Sequence, residues 1–306
     1  MKLNEPTVLK IRKHTVICEK KVPEISVMVT GDWHISPIIS ETQADFLREA
    51  VELAKPDVIV LQGDIVDSPA ELKRETSVKK LMCELKICSQ AAPTMMVLGS
   101  HDFIMPTTPA KVMKESSLLL WKKICKKCNV KLLLNESFEP ISGVVFYGMF
   151  QDEKTIIGLD ENGQKYHENS PESFLSNLKE QEWKLDAGKF NWFVSHAPLI
   201  DKDVIAELSV FDIASFGHTH GGIVPRGLDE LFEKFGFNFG LISTKLKPLP
   251  PFARGIKAIG KSTLMLINSG MTGAQFCAPK FAQKMTFIKA AAVSVVKLVN
   301  ASEKLH

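Results

Sequence analysis

The sequence predicts a layered α/β fold, and three observations carry that expectation. Ile25–Thr30, Val58–Leu61 and Thr94–Leu98 are short apolar runs with the length and composition of buried strands. Segments of helical periodicity separate them, the order of a layered α/β sheet. Each run closes on glycine with a carboxylate or imidazole: Gly31-Asp32, Gly63-Asp64 and Gly99-Ser100-His101-Asp102. Ligands in such sheets bind beyond the carboxyl ends of the strands, which is where these clusters fall.

The elements follow in order. Thr15–Cys18 is a short β-prone run suited to an edge strand. In Thr42–Ala54 the apolar residues Phe46, Leu47, Ala50, Leu53 and Ala54 recur at helical spacing, and Pro56 ends the helix. A second helix is expected over Leu72–Gln90. Past residue 128 the chain turns to β character, with strands expected at Val130–Leu134, Val144–Gly148, Asn191–Val194, Ile213–Phe216, Leu264–Asn268 and Ala292–Leu298. Pro171–Trp183 reads as a helix with proline in its first turn. Asp152–Ser170 reads as a polar loop, and residues 223–262, with Pro248, Pro250 and Pro251, as loop-rich. No repeat or linker interrupts the pattern, so one domain is expected over residues 1–306.

Composition narrows the class. At 306 residues and 45% hydrophobic content the chain can bury a full core, and 24% charged residues is a globular proportion. A net charge of +3 gives no strong nucleic-acid signal, but it tolerates an anionic substrate or peripheral contact with an anionic membrane. The six cysteines form no regular framework, which favours free thiols in a reducing compartment. Cys125 and Cys128 make one CxxC; without a second pair it reads as a solvated basic helix end rather than a zinc ribbon. Met1–Thr15 has no apolar signal-peptide core. No window reaches the roughly 18 apolar residues of a membrane span. The nearest, Ala290–Val299, is broken by Lys297 and reads as a strand. A cytoplasmic protein with no transmembrane segment is expected.

Five clusters carry the chemistry: Asp32-Trp33-His34, Gly63-Asp64, Gly99-Ser100-His101-Asp102, Ser195-His196 and Gly217-His218-Thr219-His220-Gly221-Gly222. Alone, a Gly-Asp after a strand is often a turn, and a single histidine often a core residue. In D-x-H and H-x-H, residues two apart on an extended segment point the same way. Together, two aspartates and four histidines at strand ends supply a mixture of oxygen and nitrogen donors. That mixture suits Mn, Fe, Zn or Co better than Ca or Mg alone. The glycines let backbone approach closely.

In this order the clusters resemble the calcineurin-like metallophosphoesterases, whose blocks run D-x-H, G-D, G-N-H-D/E, H and G-H-x-H. The finer resemblance is to the YkuE-like phosphodiesterase branch, on Gly63-Asp64-Ile65-Val66-Asp67, the trailing Gly221-Gly222, and Ile267-Asn268-Ser269-Gly270 after a late strand. The resemblance implies a two-sheet β-sandwich flanked by helices, with the metal site at strand C-terminal ends. It also implies two divalent ions and hydrolysis of a phosphate ester, most simply a diester, by a metal-bound hydroxide. It makes Asp32, His34 and His220 ligands of one metal, His196 and His218 ligands of the other, and Asp64 the bridge. His101 would stabilise the phosphoryl charge or protonate the leaving oxygen, and Asp102 would orient a neighbouring histidine. Ser100 departs from the family's asparagine, so a shorter hydroxyl stands where a metal-binding side-chain carbonyl is expected.

Two alternatives stand beside this: a nuclease of the SbcD type on the same core, and a catalytically weakened scaffold, for which Ser100 is the support. Trp33 allows two roles, stacking on a base or lipid head group, or core packing. Phe103, Ile104 and Met105, with Pro106 and Pro109, read as an apolar loop near the site. The Phe-, Leu- and Pro-rich stretch Phe232–Phe252 suits a cover or a lipid contact. A nucleotide or a lipid-linked diester would each fit such surroundings.

Overall fold

The computed structural model describes residues 9–37, 42–105, 111–112, 114–151, 170–221, 252, 254–260, 262–271 and 291–301. The first sheet has the strand order β1-β14-β2-β3-β4-β7: β1 Leu9–Cys18, β14 Ala291–Asn300, β2 Ile25–Thr30, β3 Val58–Leu61, β4 Thr94–Met96 and β7 Val130–Leu132. β2, β3, β4 and β7 run parallel, while β14 inserts antiparallel beside β2 and parallel to β1. The second sheet has the order β12-β13-β11-β10-β9-β8: β12 Gly255–Ile259, β13 Thr263–Ile267, β11 Ile213–Phe216, β10 Phe190–Val194, β9 Val144–Gly148 and β8 Glu136–Ile141. A small ribbon pairs β5 Ile104–Met105 with β6 Lys111–Val112.

Alternation along the strands sorts the core into layers. In β2, β3 and β4 the residues Met28, Ile59 and Met96 face one cluster, with Leu47, Leu81, Leu85 and Trp121. Those residues come from the helices α1 Thr42–Ala54, α2 Glu75–Ala91 and α3 Lys114–Cys128. Val27, Val29, Val58, Val60 and Met95 face the other way, onto Phe146, Trp192, Val194 and Ile213 of the second sheet. That sheet's outer face, with Tyr147, Phe193 and Phe216, is covered by α4 Pro171–Glu180 and α5 Lys202–Leu208. Parallel strands buried on both faces are why the sequence reads as continuous apolar runs. The result is a two-sheet α/β sandwich between helices, the class the sequence predicts.

Several expectations need correction. The edge strand β1 is ten residues long, not four. A 3₁₀ turn, Pro69–Lys73, precedes α2, which starts at Glu75 rather than Leu72. β8 and β12 fall in stretches without apolar alternation. The end of α3 is not wholly solvated. Lys122, Lys123, Lys126 and Lys127 are exposed, but Trp121, Ile124, Cys125 and Cys128 form a helical stripe buried in the core. Trp33 is core: it is fully buried, and its indole N–H donates to the Thr30 hydroxyl at 3.2 Å. Phe103 is also core, packed on Phe150 at 5.0 Å between ring centroids, and Ile104 is buried beside it. Residues 152–169, Pro106, Pro109 and 232–251 lie outside the described residues.

Candidate metal centre

The five clusters all stand on turns leaving the carboxyl ends of β2, β3, β4, β10 and β11. The turns stay tied to each other after the strands end. Asp32 donates its backbone N–H to Gly63 O at 2.9 Å, His34 to Asp64 O at 3.0 Å, and Gly217 to His196 O at 2.8 Å. Among the described residues nine non-glycine positions have positive φ, and five of these are Asp32, His34, Asp64, His218 and His220. Left-handed backbone costs such residues energy and persists where surrounding contacts enforce it, a feature of ligand sites. Gly63, at φ +82°, is required by crowding: a Cβ there would lie 2.4 Å from Gly99 N.

Asp32, His34, His196, His220 and Asp64 are all buried, whereas His218 and His101 are half-buried. Their donor atoms group in three sets, each within 4.8 Å: Asp32, His34 and His220; His34, Asp64 and His101; Asp64, His196 and His218. His34 Nε2 faces His220 Nε2 at 3.3 Å, and His196 Nε2 faces His218 Nδ1 at 3.1 Å. Asp64 Oδ2 lies 3.1 Å from His196 Nε2 and 3.9 Å from His34 Nε2, between the two pairs. Asp32 Oδ1 is 3.8 Å from His220 Nε2, and both its oxygens accept the His218 N–H at 3.1 Å.

Tautomers follow from the surroundings. His196 Nδ1 donates to the Gln62 carbonyl at 2.7 Å, and His101 Nδ1 to the Asp67 carbonyl at 2.8 Å, so each presents Nε2. Burial opposes charge on His196, but Asp64, with Asp32 and the Gln62 carbonyl behind it, pushes its pKa up to about 9. Burial and the charge on His196 push His218 down to about 4. Asp64 is held well below the usual carboxylate range: its own burial works against this, and His196 and His101 outweigh it. No lysine or arginine pairs with Asp32 or Asp64 among the described residues. Two buried carboxylates are thus ringed by imidazoles with no lysine or arginine beside them, and this donor set fits two divalent cations.

Ser100 is half-buried on a 3₁₀ turn, Ser100–Asp102, between two neighbours pressed on Asp64. A Cβ on Gly99 would lie 2.3 Å from Asp64 Oδ1, and His101 N–H donates to that oxygen at 2.8 Å. Among the described residues the Asp102 carboxylate has backbone rather than histidine hydrogen-bond partners: it accepts the N–H of Gly99 at 2.8 Å, Ile65 at 3.0 Å and Val66 at 3.1 Å. Burial and nearby Asp64 push its carboxyl up to about 7, against the Gly99 and Val66 amides and the charge of His196, which favour the ionised form. It fastens the His101 turn to the Asp64 turn.

Three supporting residues were given no role at the site from the sequence, although Asp67 and Gly270 fall in quoted motifs. Asp67 Oδ1 lies 3.7 Å from His34 Nδ1, while its carbonyl takes His101; the signal was the carboxylate three residues past Asp64. Gln151 clamps Ala197, next to His196, by accepting its N–H at 2.6 Å and donating to its carbonyl at 3.0 Å. Gly270, at φ +77°, abuts Asp32: a Cβ there would lie 2.7 Å from Asp32 Cβ.

Fold and site together define a protein with a candidate dinuclear metal centre between two sheets. A sequence profile of the calcineurin-like phosphoesterases matches residues 25–222, and the chain belongs to that family. It is 24% identical over 265 residues to an uncharacterized metallophosphoesterase of Aquifex aeolicus, covering 86% of this chain and 84% of that protein. It is 22% identical over 251 residues to a bovine transmembrane protein with metallophosphoesterase domain, covering 80% of this chain but only 48% of the bovine one. A dimetal phosphatase from Danio rerio superposes with a TM-score of 0.47 at 13% identity, over 81% of this chain and 88% of its own. Among the described residues no helix is long and apolar enough to cross a membrane.

Proposed function

We propose that this chain is a single-domain, two-metal phosphodiesterase of the YkuE-like kind. The observation that carries the reading is the position of Asp64, shared by the His34–His101 and His196–His218 clusters, where one carboxylate can serve two cations. Asp32, His34 and His220 would hold one ion, His196 and His218 the other, with Ser100 beside the second. Mn, Fe and Zn all suit these donors. When bound, two such ions neutralise phosphoryl oxygens and acidify a water toward neutral pH.

The chain's own residues do the rest. His196 and His101 are held in the Nε2-presenting tautomer by backbone carbonyls. His101, with its side chain 32% exposed, stands at the rim to donate a proton to the leaving oxygen. Asp67 brings its carboxylate to 4.0 Å from His101 Nδ1, on the side of the ring away from Nε2. No lysine or arginine enters the cluster among the described residues, which favours the single charge of a diester over the double charge of a monoester. Among the described residues five free cysteines, four of them buried, suit a cytoplasmic setting.

The test is hydrolysis of bis-p-nitrophenyl phosphate beside p-nitrophenyl phosphate, after chelation and re-addition of Mn, with His196→Ala as control. Mn-dependent diester cleavage lost in the variant is expected. Folded protein with no turnover under any added metal would overturn the proposal, and recovery in Ser100→Asn would then assign the loss to that position.

A further inference from the structure

Asp32 is walled by two turns of the second sheet. On one side is Gly217, where a Cβ would lie 3.0 Å from Asp32 Oδ2; on the other is Gly270. The Gly270 turn, Asn268-Ser269-Gly270, follows β13 and is tied into the first sheet. Met271 donates its N–H to Gly31 O at 3.1 Å, and Ala292 to Gly270 O at 3.0 Å. Two side chains reach the same turn from the edge of that sheet. Arg12, only 9% exposed, donates to Ser269 Oγ at 3.2 Å, and the Ser294 hydroxyl donates to Asn268 Oδ1 at 3.2 Å. Arg12 on β1 and Ser294 on β14 are register partners in the parallel ladder, so both project from the same face toward the second sheet. Arg12, Ser269, Gly270 and Ser294 all lie outside residues 25–222, the span matched to the family.

We infer that Arg12, with Ser294, is a positioning residue for the centre. The pair latches the 268–270 turn so that Gly270 holds the Asp32 carboxylate against His34 and His220. The inference rests on the two-metal reading. Without the guanidinium, the turn gains freedom on one side of Asp32, and the Asp32–His34–His220 centre loosens. The Asp64–His196–His218 centre is joined to Asp32 through the His218 backbone N–H alone among the described hydrogen bonds, not through its imidazole, and is disturbed less. A guanidinium suits the task because its rigid fork holds direction, where a lysine ammonium is a flexible point charge.

The experiment titrates chelator-stripped protein with cobalt(II), followed by visible absorption and calorimetry. His220→Ala and His218→Ala assign the two binding events. Arg12→Met is expected to weaken the event missing in His220→Ala about tenfold, the usual scale for residues supporting a metal ligand. The other event should change by less than about twofold, and Arg12→Lys should recover part of the loss. A lowered melting temperature with both affinities unchanged would make Arg12 merely structural and overturn the inference. Should Arg12→Met fail to fold, Ser269→Ala removes only the accepting hydroxyl, and unchanged cobalt affinities there overturn it equally. Wild-type protein that takes up no cobalt would overturn the metal reading and the latch with it. Wild-type uptake unaltered in the variants would sink the latch alone.

Discussion

Asp102→Asn separates the two roles open to this residue. Asparagine keeps one oxygen, which can stay at the Oδ1 position and accept from Ile65 and Val66. Its amide nitrogen then takes the Oδ2 position, donor against donor with the Gly99 N–H now 2.8 Å away. The loss of one charge-assisted bond and a buried amide left unsatisfied overlap as costs, and together amount to about 2–4 kcal/mol. At roughly 1.5 °C per kcal/mol for a chain of this size, the melting temperature should fall by roughly 3–6 °C. Urea unfolding of metal-loaded and stripped protein, followed by tryptophan fluorescence, measures the change directly. Activity should fall as well, because the loosened turn carries His101 and touches Asp64. If stability stays within about 0.5 kcal/mol of wild type while turnover collapses, Asp102 works through a histidine and the tethering argument is wrong.

Four further outcomes follow from the same structure. Gln151→Leu leaves the buried N–H and carbonyl of Ala197 unpaired, so a loss of about 2–4 kcal/mol is expected on urea unfolding, together with weaker metal binding through His196. Because His196 is pushed up to about 9, a cation arriving at pH 7 must displace its proton. Calorimetry in buffers of different ionisation heat should show proton release and affinity rising with pH up to about 9. Stripped protein moves the other way: the stability from that raised pKa is complete below 6.5 and lost as pH climbs through about 9, so its melting temperature should fall over that range. In Cys277→Ser protein, a thiol reagent should modify Cys83 quickly and leave Cys18, Cys88, Cys125 and Cys128 slow, since these four are buried; rapid loss of Cys128 in folded protein would contradict the packing of α3.

What could be read from residues alone followed burial on both faces. Val58–Leu61 is an uninterrupted apolar run and Ile213–Phe216 is broken only by Ser215, because helices and the opposite sheet both press on them, and their bounds match the structure. β8 and β12 are edge strands whose residues are largely exposed or half-buried, so no period marks them. The same limit applies at the site. The clusters were legible as chemistry because four of the five pair a ligand with a glycine in a few consecutive residues, and Ser195-His196 follows a buried strand in the same way. Gln151 reaches the centre from a distant loop with no local signal, and Gly270, though part of a recognisable motif, shows in the sequence nothing of its contact with Asp32. Asp102 next to His101 looks like a partner for an imidazole, whereas three amides converge on it from two turns. Cys125 and Cys128, with Trp121 and Ile124, show the helical stripe that could have placed them inside.

The position of β14 between β1 and β2 sets an order on assembly. Asp32, Asp64 and His101 are synthesised well before His196, His218 and His220, yet the sheet that carries the early three has an open edge at β2 until residues 291–300 exist. β1, made first, has no neighbour in the sheet until that same late strand arrives; Arg12 and Ser269, joined in the finished fold, are 257 residues apart. Contacts this distant in sequence are the slow ones to form, and an unpaired strand edge invites wrong partners in the meantime. The nascent protein would therefore wait, partly built and prone to aggregate, for its last strand to be made. Cation capture would then mark the end of folding, so that loading with metal in the cell reports which molecules were finished.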